Sequence, residues 1–147
     1  KALKQDETNN RDGMDMTLVG IHKNASTIEF AGAKNPIYYV QNETMHQIKG
    51  DKTPIGGMKL KRQEKYTKHL IDVSQPTTFY LFSDGFQDQF GGPENKRFMT
   101  KRFRDLLLEV HSYPMEEQKN LLEKALEDWM QDEEQLDDIL IIGVKCS

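Results

Sequence analysis

Three aspartates and their neighbours hold the chemistry that this sequence could perform. Asp84 ends an apolar run at residues 79–82, inside Ser83-Asp84-Gly85, and Asp137 and Asp138 open another at 139–144. Both runs are short, aromatic or β-branched, and bounded by Pro, Gly or acidic residues, which predicts strands. A carboxylate at the end of a buried strand is costly unless its charge is paired, hydrogen-bonded or bound to a metal. If the two strands pair antiparallel, the end of one lies beside the start of the other. The three carboxylates then converge on one rim, repel one another, and favour a hard cation between them. Oxygen donors without His or Cys at ligand spacing suit magnesium, manganese or calcium. Calcium is disfavoured, because no loop alternates Asp, Asn and Gly as a calcium loop does. Gly85 frees the backbone to turn. With Asp88, one turn beyond Asp84, it reads as support for the ligands rather than as a ligand. Singly, each motif also fits a plainer reading, Asp84-Gly85 as a turn and Asp137 as a helix-to-strand connector.

The rest of the chain must position that rim. Its 147 residues make at most one domain, long enough for a real core. With 24 acidic and 20 basic residues mixed throughout, the net charge of −4 gives no basic face for nucleic acid. The single cysteine, Cys146, allows no disulfide framework or thiolate metal site, and fits a reducing cytoplasm. The longest apolar run, 139–144, is too short to span a membrane, and no signal-peptide pattern opens the chain.

In chain order, residues 1–4 read as a helix end and 7–11 as loop. Strands are expected over 16–22 and 27–31 with a turn at 24–26, then over 36–40 and 45–48 with a turn at Asn42-Glu43, giving a β-meander. Residues 50–57 read as loop, with Asp51 and Lys52 simply solvated. Lys59, Lys61, Arg62, Lys65 and Lys68 read as a solvated basic face, the alternative being a contact for a phosphorylated acidic partner. Residues 66–73 return to strand character, and 86–93 read as loop. There Gly91-Gly92 either closes a turn or lets a flap move over the rim.

Two helices follow. Phe98, Phe103, Leu106, Leu107 and Val110 mark the first. Pro114 starts the second within its first turn, Glu116 and Glu117 suit its N-terminal dipole, and Met115, Leu122, Ala125 and Trp129 form its apolar stripe, flanked by Leu121. Trp129 is assigned to the core. His22, His46, His69 and His111 show no ligand spacing. Strands, two helices and a last strand make an α+β fold with helices on an antiparallel sheet.

Ser83-Asp84-Gly85-Phe86 and Asp137-Asp138-Ile139-Leu140 resemble the two C-terminal metal motifs of the metal-dependent protein phosphatase (PPM) family, in its SpoIIE-like bacterial branch. Ala31-Gly32-Ala33-Lys34-Asn35-Pro36 is similar to that branch's Ala-Gly-His-Asn-Pro segment, and Pro54-Ile55-Gly56-Gly57 to its Pro-Leu-Gly turn. The four motifs stand in the family's order from near Asp12 to the last strand. The family also carries an earlier Asp-x-x-Gly-His-Gly type motif whose Asp bridges two metals. Nothing in residues 1–15 fills that role, since Asp12-Gly13 directly precedes the first predicted strand.

The resemblance implies that residues 1–147 are the C-terminal portion of a phosphatase domain without its N-terminal metal motif, a partial antiparallel β-sandwich with two C-terminal helices packed on a sheet. It implies hydrolysis of phosphoserine or phosphothreonine on a protein, by water activated between two Mn2+ or Mg2+ ions. Asp84 and Asp137 would be the catalytic metal ligands, with Asp138 as a further ligand and Asp15 an outlying candidate. It also implies a place as the output of a bacterial signalling chain, acting on a phosphorylated protein below an upstream sensor or receiver domain, in the cytoplasm or tethered to a membrane through that sensor. Alone, the chain is expected to be weakly active or inactive, with open strand edges that favour a homodimer or domain swap. The competing reading is a non-catalytic interaction module on the same fold.

Overall fold

A computed structural model describes residues 13–23, 26–56 and 65–146. The expectations for residues 1–4 and 7–11, for Asp12, Asn24, Ala25 and Gly57, and for Lys59, Lys61 and Arg62 lie outside the described residues. The elements are β1 (Gly13–Met14), β2 (Met16–Ile21), β3 (Thr27–Ala33), β4 (Ile37–Gln41), β5 (Thr44–Ile48), β6 (Ile55–Gly56), β7 (His69–Asp72) and β8 (Thr77–Phe82), then α1 (Gly85–Asp88), β9 (Phe90–Gly91), β10 (Lys96–Arg97), α2 (Thr100–Val110), α3 (Met115–Met130) and β11 (Ile141–Cys146). They fall into two compact units, one from the segments before residue 38 and from 47 to 75, the other from 38 to 46 and from 76 onward.

The first unit is built on a three-stranded antiparallel sheet in the order β2-β3-β7. Period-two alternation decides its faces. Ile28 and Phe30 on β3 are buried, as is Ile71 opposite Ile28 on β7. The other face carries Leu18, opposite Ala31, and Leu70, opposite Glu29, both mostly exposed. Residues 50–56 are more ordered than a plain loop, because β6 pairs with β1 and Ala33 bridges Asp51 in parallel. Strand character at 66–73 is confined to β7.

The expected meander does not form. β2 and β3 pair with each other, whereas β4 and β5 pair in a different sheet. Two features divert the chain. The free edge of β3 is taken by β7. Lys34, at φ 61°, then turns the chain out of the ladder, with Asn35 N–H donating to the Ala33 carbonyl at 2.8 Å.

The second unit is built on a four-stranded antiparallel sheet in the order β11-β8-β4-β5. The Asn42-Glu43 turn joins β4 to β5 as expected, both residues at positive φ. β8 lies between two strands, and Thr77, Thr78, Phe79, Tyr80 and Phe82 are buried, so burial runs along it without alternation. Helices α2 and α3 cover this sheet. Phe103, Leu107 and Val110 from α2 and Leu122 from α3 join Tyr38, Val40, Tyr80 and Phe82 in one core. The Tyr38 and Phe82 rings lie 4.6 Å apart, and Phe103 meets Phe82 edge-on at 5.0 Å. Such pairs contribute about 0.5–1.5 kcal/mol each beyond the area that they bury.

Both expected helices are present, with shifted starts. Phe98 precedes α2 and is buried against Phe86. Pro114 is the N-cap of α3 rather than a residue of its first turn, where Glu116 and Glu117 do sit. The stripe of α3 includes a polar residue that the spacing rule passes over. Gln118 is buried, donates to the His111 and Tyr113 carbonyls at 3.0 and 2.8 Å, and accepts the Tyr80 hydroxyl at 2.8 Å. Every polar group in that latch has a partner, and burial pushes the Tyr80 phenol well above its ordinary range. Among the described residues, no helix is long and apolar enough to cross a membrane.

Candidate metal centre

β11 pairs antiparallel with β8, and Ile141 faces Phe82 at the last rung. The end of one strand therefore meets the lead-in of the other, as the sequence predicts. The ladder itself stops at Ile141, two residues later than the apolar run suggests. Ser83 carries the pairing further. Its N–H donates to the Leu140 carbonyl at 3.0 Å, its hydroxyl accepts the Leu140 N–H at 3.0 Å, and the same hydroxyl donates to the Asp138 carbonyl at 2.8 Å. A side-chain hydroxyl thus replaces one strand rung and fixes the backbone at Asp138.

Gly85 completes the join. A Cβ there would lie 2.5 Å from the Asp138 carbonyl oxygen and 3.0 Å from Ile139 Cγ1. Close approach of two backbones is what demands glycine here. The expected loop after Asp84 is instead the short helix α1, with Asp84 at its N-cap and the Asp88 N–H donating to the Asp84 carbonyl at 3.0 Å.

The carboxylates themselves are open. Asp84, Asp137 and Asp138 are exposed, and the Asp84 side chain makes no capping hydrogen bond. Asp137 Oδ1 accepts the Asp138 N–H at 2.7 Å. Asp88 is half-buried and faces Arg97 Nη1 at 3.4 Å. Among the described residues, no three His, Cys, Asp or Glu side chains are gathered closely enough to hold a metal ion. The backbone therefore brings the two motifs together, while the carboxylates around them are not closed into a cage.

The connector that delivers Asp137 is held by a residue that the sequence reading missed. Gln89 is fully buried. Its amide donates to the Glu134 carbonyl at 2.9 Å and its side-chain oxygen accepts the Leu136 N–H at 3.1 Å. Its own carbonyl accepts from Trp129 Nε1 at 3.1 Å and from the Phe98 N–H at 2.9 Å. A glutamine five residues after Asp84 is the available signal, but nothing local marks it as buried. Trp129 is core, as assigned, meeting Phe98 edge-on at 5.3 Å with Arg102 stacked 4.5 Å from its ring. A Cβ on Gly91 would run into the Trp129 carbonyl, and the Gly92 N–H donates to that carbonyl at 2.8 Å. These glycines serve close packing, which favours the closed-turn reading over a flap.

The other candidates resolve into structural roles. Asp15 pairs with Lys34 at 3.5 Å on an exposed surface of the first unit. Asp51, expected to be solvated, accepts the Thr67 N–H and hydroxyl at 2.7 and 3.0 Å. His22 lies 3.9 Å from Glu29, His46 stacks on Tyr39 at 4.9 Å, His69 packs on Phe30, and His111 lies 3.4 Å from Glu43. Burial pushes the Cys146 thiol up, which disfavours a thiolate role.

Antiparallel sheets carrying helices, with Asp-Gly and Asp-Asp motifs joined at one sheet rim, make this an α+β fold. Residues 2–147 match the family described as Stage II sporulation protein E (SpoIIE), and the chain belongs to that family. The structure is similar to the SiaA-PP2C domain of Pseudomonas aeruginosa, at 30% identity and a TM-score of 0.85 over 97% of this chain and 55% of that one. It also shares the fold of the phosphatase domain of SpoIIE from Bacillus subtilis, at 12% identity and a TM-score of 0.59 over 90% of this chain and 58% of that one. The catalytic domain of the serine/threonine protein phosphatase PstP, in complex with two manganese ions, matches at 16% identity and a TM-score of 0.59 over 99% of this chain and 64% of that one. The chain thus spans 55 to 64% of the length of these three structures. No curated protein matches the sequence.

Proposed function

We propose that this chain carries one side of the active site of a metal-dependent protein serine/threonine phosphatase, and that residues 1–147 form the C-terminal portion of that domain. The observation that carries the reading is the join itself. Ser83 and Gly85 clamp the Asp138 backbone, so that Asp84, Asp137 and Asp138 share one rim with exposed carboxylates. Family membership and the fold of the manganese-bound PstP domain support it.

The donor set fits Mn2+ or Mg2+. Every donor at this rim is an oxygen, and such ions keep several waters when few carboxylates bind them. Asp84 and Asp137 would hold the ion, with Asp138 beside them. A bound divalent cation supplies activated water and offsets charge on the phosphoryl oxygens. The protein's own part is positional. Ser83 fixes the Asp138 backbone, Gly85 lets α1 come close, and Gln89 anchors the connector before Asp137. The substrate is a phosphorylated protein and the setting cytoplasmic signalling under an upstream sensor or receiver, a reading supported by the family and by a free cysteine without a disulfide partner.

The test is manganese-titrated hydrolysis of para-nitrophenyl phosphate and of a phosphoserine peptide, by this chain and by one extended upstream. Turnover in the extended chain that Asp84→Ala and Asp137→Ala each abolish is the expected result. No turnover in either, with the fold intact by circular dichroism, would overturn the phosphatase reading in favour of an interaction module.

A further inference from the structure

One cation stands beside this rim without an evident structural need. Asp84, the N-cap of α1, and Asp88, its last residue, are four residues apart, hence on one face of that turn. Arg97 Nη1 lies 3.4 Å from Asp88 Oδ1, and its guanidinium carbon stands 5.7 Å from the centre of the Phe90 ring. The ion pair is long, single-armed and about half exposed on both sides. Such surface pairs contribute little to stability. A guanidinium carries five N–H donors in a planar fork, and Asp88 engages one arm. The other cations of this stretch are occupied differently, Lys96 by Glu94, Lys101 by Asp105 and Arg102 by the Trp129 ring.

The backbone goes to some length to place Arg97. β10 pairs with β9 so that Arg97 faces Phe90. The hairpin turn holds Gly92 and Asn95 at φ 69° and 45°. On leaving β10 the chain folds back onto α1. The Phe98 N–H donates to the Gln89 carbonyl at 2.9 Å and the Met99 N–H to the Gln87 carbonyl at 2.8 Å. Phe98 is buried, whereas Arg97 before it is exposed. Met99 then sits at φ 76°, ψ 145°, a conformation that suits glycine, although its side chain is largely exposed and packs little. A strained non-glycine residue beside a candidate site is a reason to look for function there.

We infer that Arg97 is the substrate-reading residue of this rim. It donates in bidentate fashion to an oxyanion of the phosphorylated protein, and Asp88 is the positioning residue that orients it. The inference rests on the phosphatase reading and adds the recognition element to it. The oxyanion is either the phosphoryl group or a carboxylate neighbouring the phosphoresidue, because a guanidinium fork matches both.

The test uses Arg97→Gln, Arg97→Lys and Asp88→Asn in the chain extended upstream, the form expected to turn over. Binding of labelled phosphoserine peptides with acidic or neutral flanks is read by fluorescence anisotropy without metal, and KM and kcat are read with manganese on the peptides and on para-nitrophenyl phosphate. Arg97→Gln is expected to raise Kd and KM about tenfold with kcat held within about twofold, and Arg97→Lys to fall between, since it keeps charge but loses the fork. Asp88→Asn should raise KM less than Arg97→Gln does, with the melting temperature unchanged in all three. An effect on every substrate assigns the phosphoryl group, and an effect on acidic peptides alone assigns the neighbouring carboxylate.

Hydrolysis with unchanged KM in Arg97→Gln would overturn the inference and leave the phosphatase reading standing. Peptide binding that Arg97→Gln removes, with no hydrolysis by any form, would do the reverse. A fall in kcat at constant KM, or a wild type that binds neither peptide, would also overturn it.

Discussion

Two turns in this molecule are made from the same parts and do different work. At the end of β3, a Cβ on Gly32 would run into the Asn35 carbonyl and lie 3.0 Å from Gly50 Cα, and Asp51 closes the clasp through its backbone, donating to the Gly32 carbonyl at 2.8 Å and accepting the Lys34 N–H at 2.7 Å. At the end of β8, Gly85 lies against the Asp138 carbonyl, and Ser83 ties it down. Each turn joins a strand end to a distant segment through a glycine that admits no Cβ, with an aspartate on the joined segment. The difference is in the aspartate side chains. Both oxygens of Asp51 are occupied by Thr67, whereas among the described residues no partner meets the carboxylates of Asp84 and Asp138. An occupied aspartate holds the fold together. An open one on a rigid turn is available to a ligand.

The strongest way to break this comparison is to neutralise one aspartate of each kind. In the chain extended upstream, Asp84→Asn is expected to lower manganese-dependent turnover by about 10²- to 10³-fold through a weakened cation site, the scale on which losing one preorganised electrostatic element costs rate. Its stability should change by no more than about 0.5 kcal/mol, as for a surface substitution without a partner. Asp51→Ala should do the opposite, costing about 1 kcal/mol through the two lost Thr67 hydrogen bonds while turnover per folded molecule holds. Urea unfolding and a metal-titrated assay on the two variants read both quantities. Loss of stability in Asp84→Asn equal to that in Asp51→Ala would erase the distinction.

The glycines sharpen it at the next scale down. Gly32→Ala and Gly85→Ala each press a methyl group onto backbone that cannot move aside easily, so both should cost about 1–3 kcal/mol. Only Gly85→Ala shifts the Asp138 backbone, so only it should weaken manganese binding in the folded state, read by calorimetric titration. Equal metal affinity in the two would show that the rim tolerates displacement and that the close approach serves packing alone.

What could be read in advance divides along the same line. The strands β8 and β11, the helices α2 and α3, and the meeting of Asp84 with Asp137-Asp138 follow from local runs and from the geometry of an antiparallel pair. The partition of strands between sheets was not legible, because it depends on β7 taking an edge that sequence proximity would have given to β4. Gln89 and Gln118 were not legible either. Their partners stand up to 47 and 38 residues away, and a buried glutamine looks polar until those partners are known. Ser83 lay inside the recognised motif, yet its bridging role appears only once the lead-in at Leu140 leaves a rung to be replaced.

The finest test of occupied against open carboxylates is acid titration. Asp72 accepts the Ser74 N–H at 2.8 Å, and the Ser74 side-chain and backbone hydrogen bonds hold its pKa below the ordinary 3.8. Glu29 pairs with Lys68 at 2.9 Å, and that hydrogen bond and charge hold its pKa below 4.5. A pKa lower in the folded than in the unfolded chain means that the unfolded chain takes up protons first as pH falls. The stabilisation is therefore full above the ordinary values of 4.5 and 3.8, declines as pH drops beneath them, and is gone below the lowered folded values. Both groups are exposed, so solvent screening keeps the effect small. Urea midpoints for the wild type should fall between pH 5 and pH 3, and the fall should be shallower in an Asp72→Asn, Glu29→Gln double variant. A slope that the double variant leaves unchanged would mean that acid acts through other groups, and that a carboxylate with a partner in this sheet is no better held than one without.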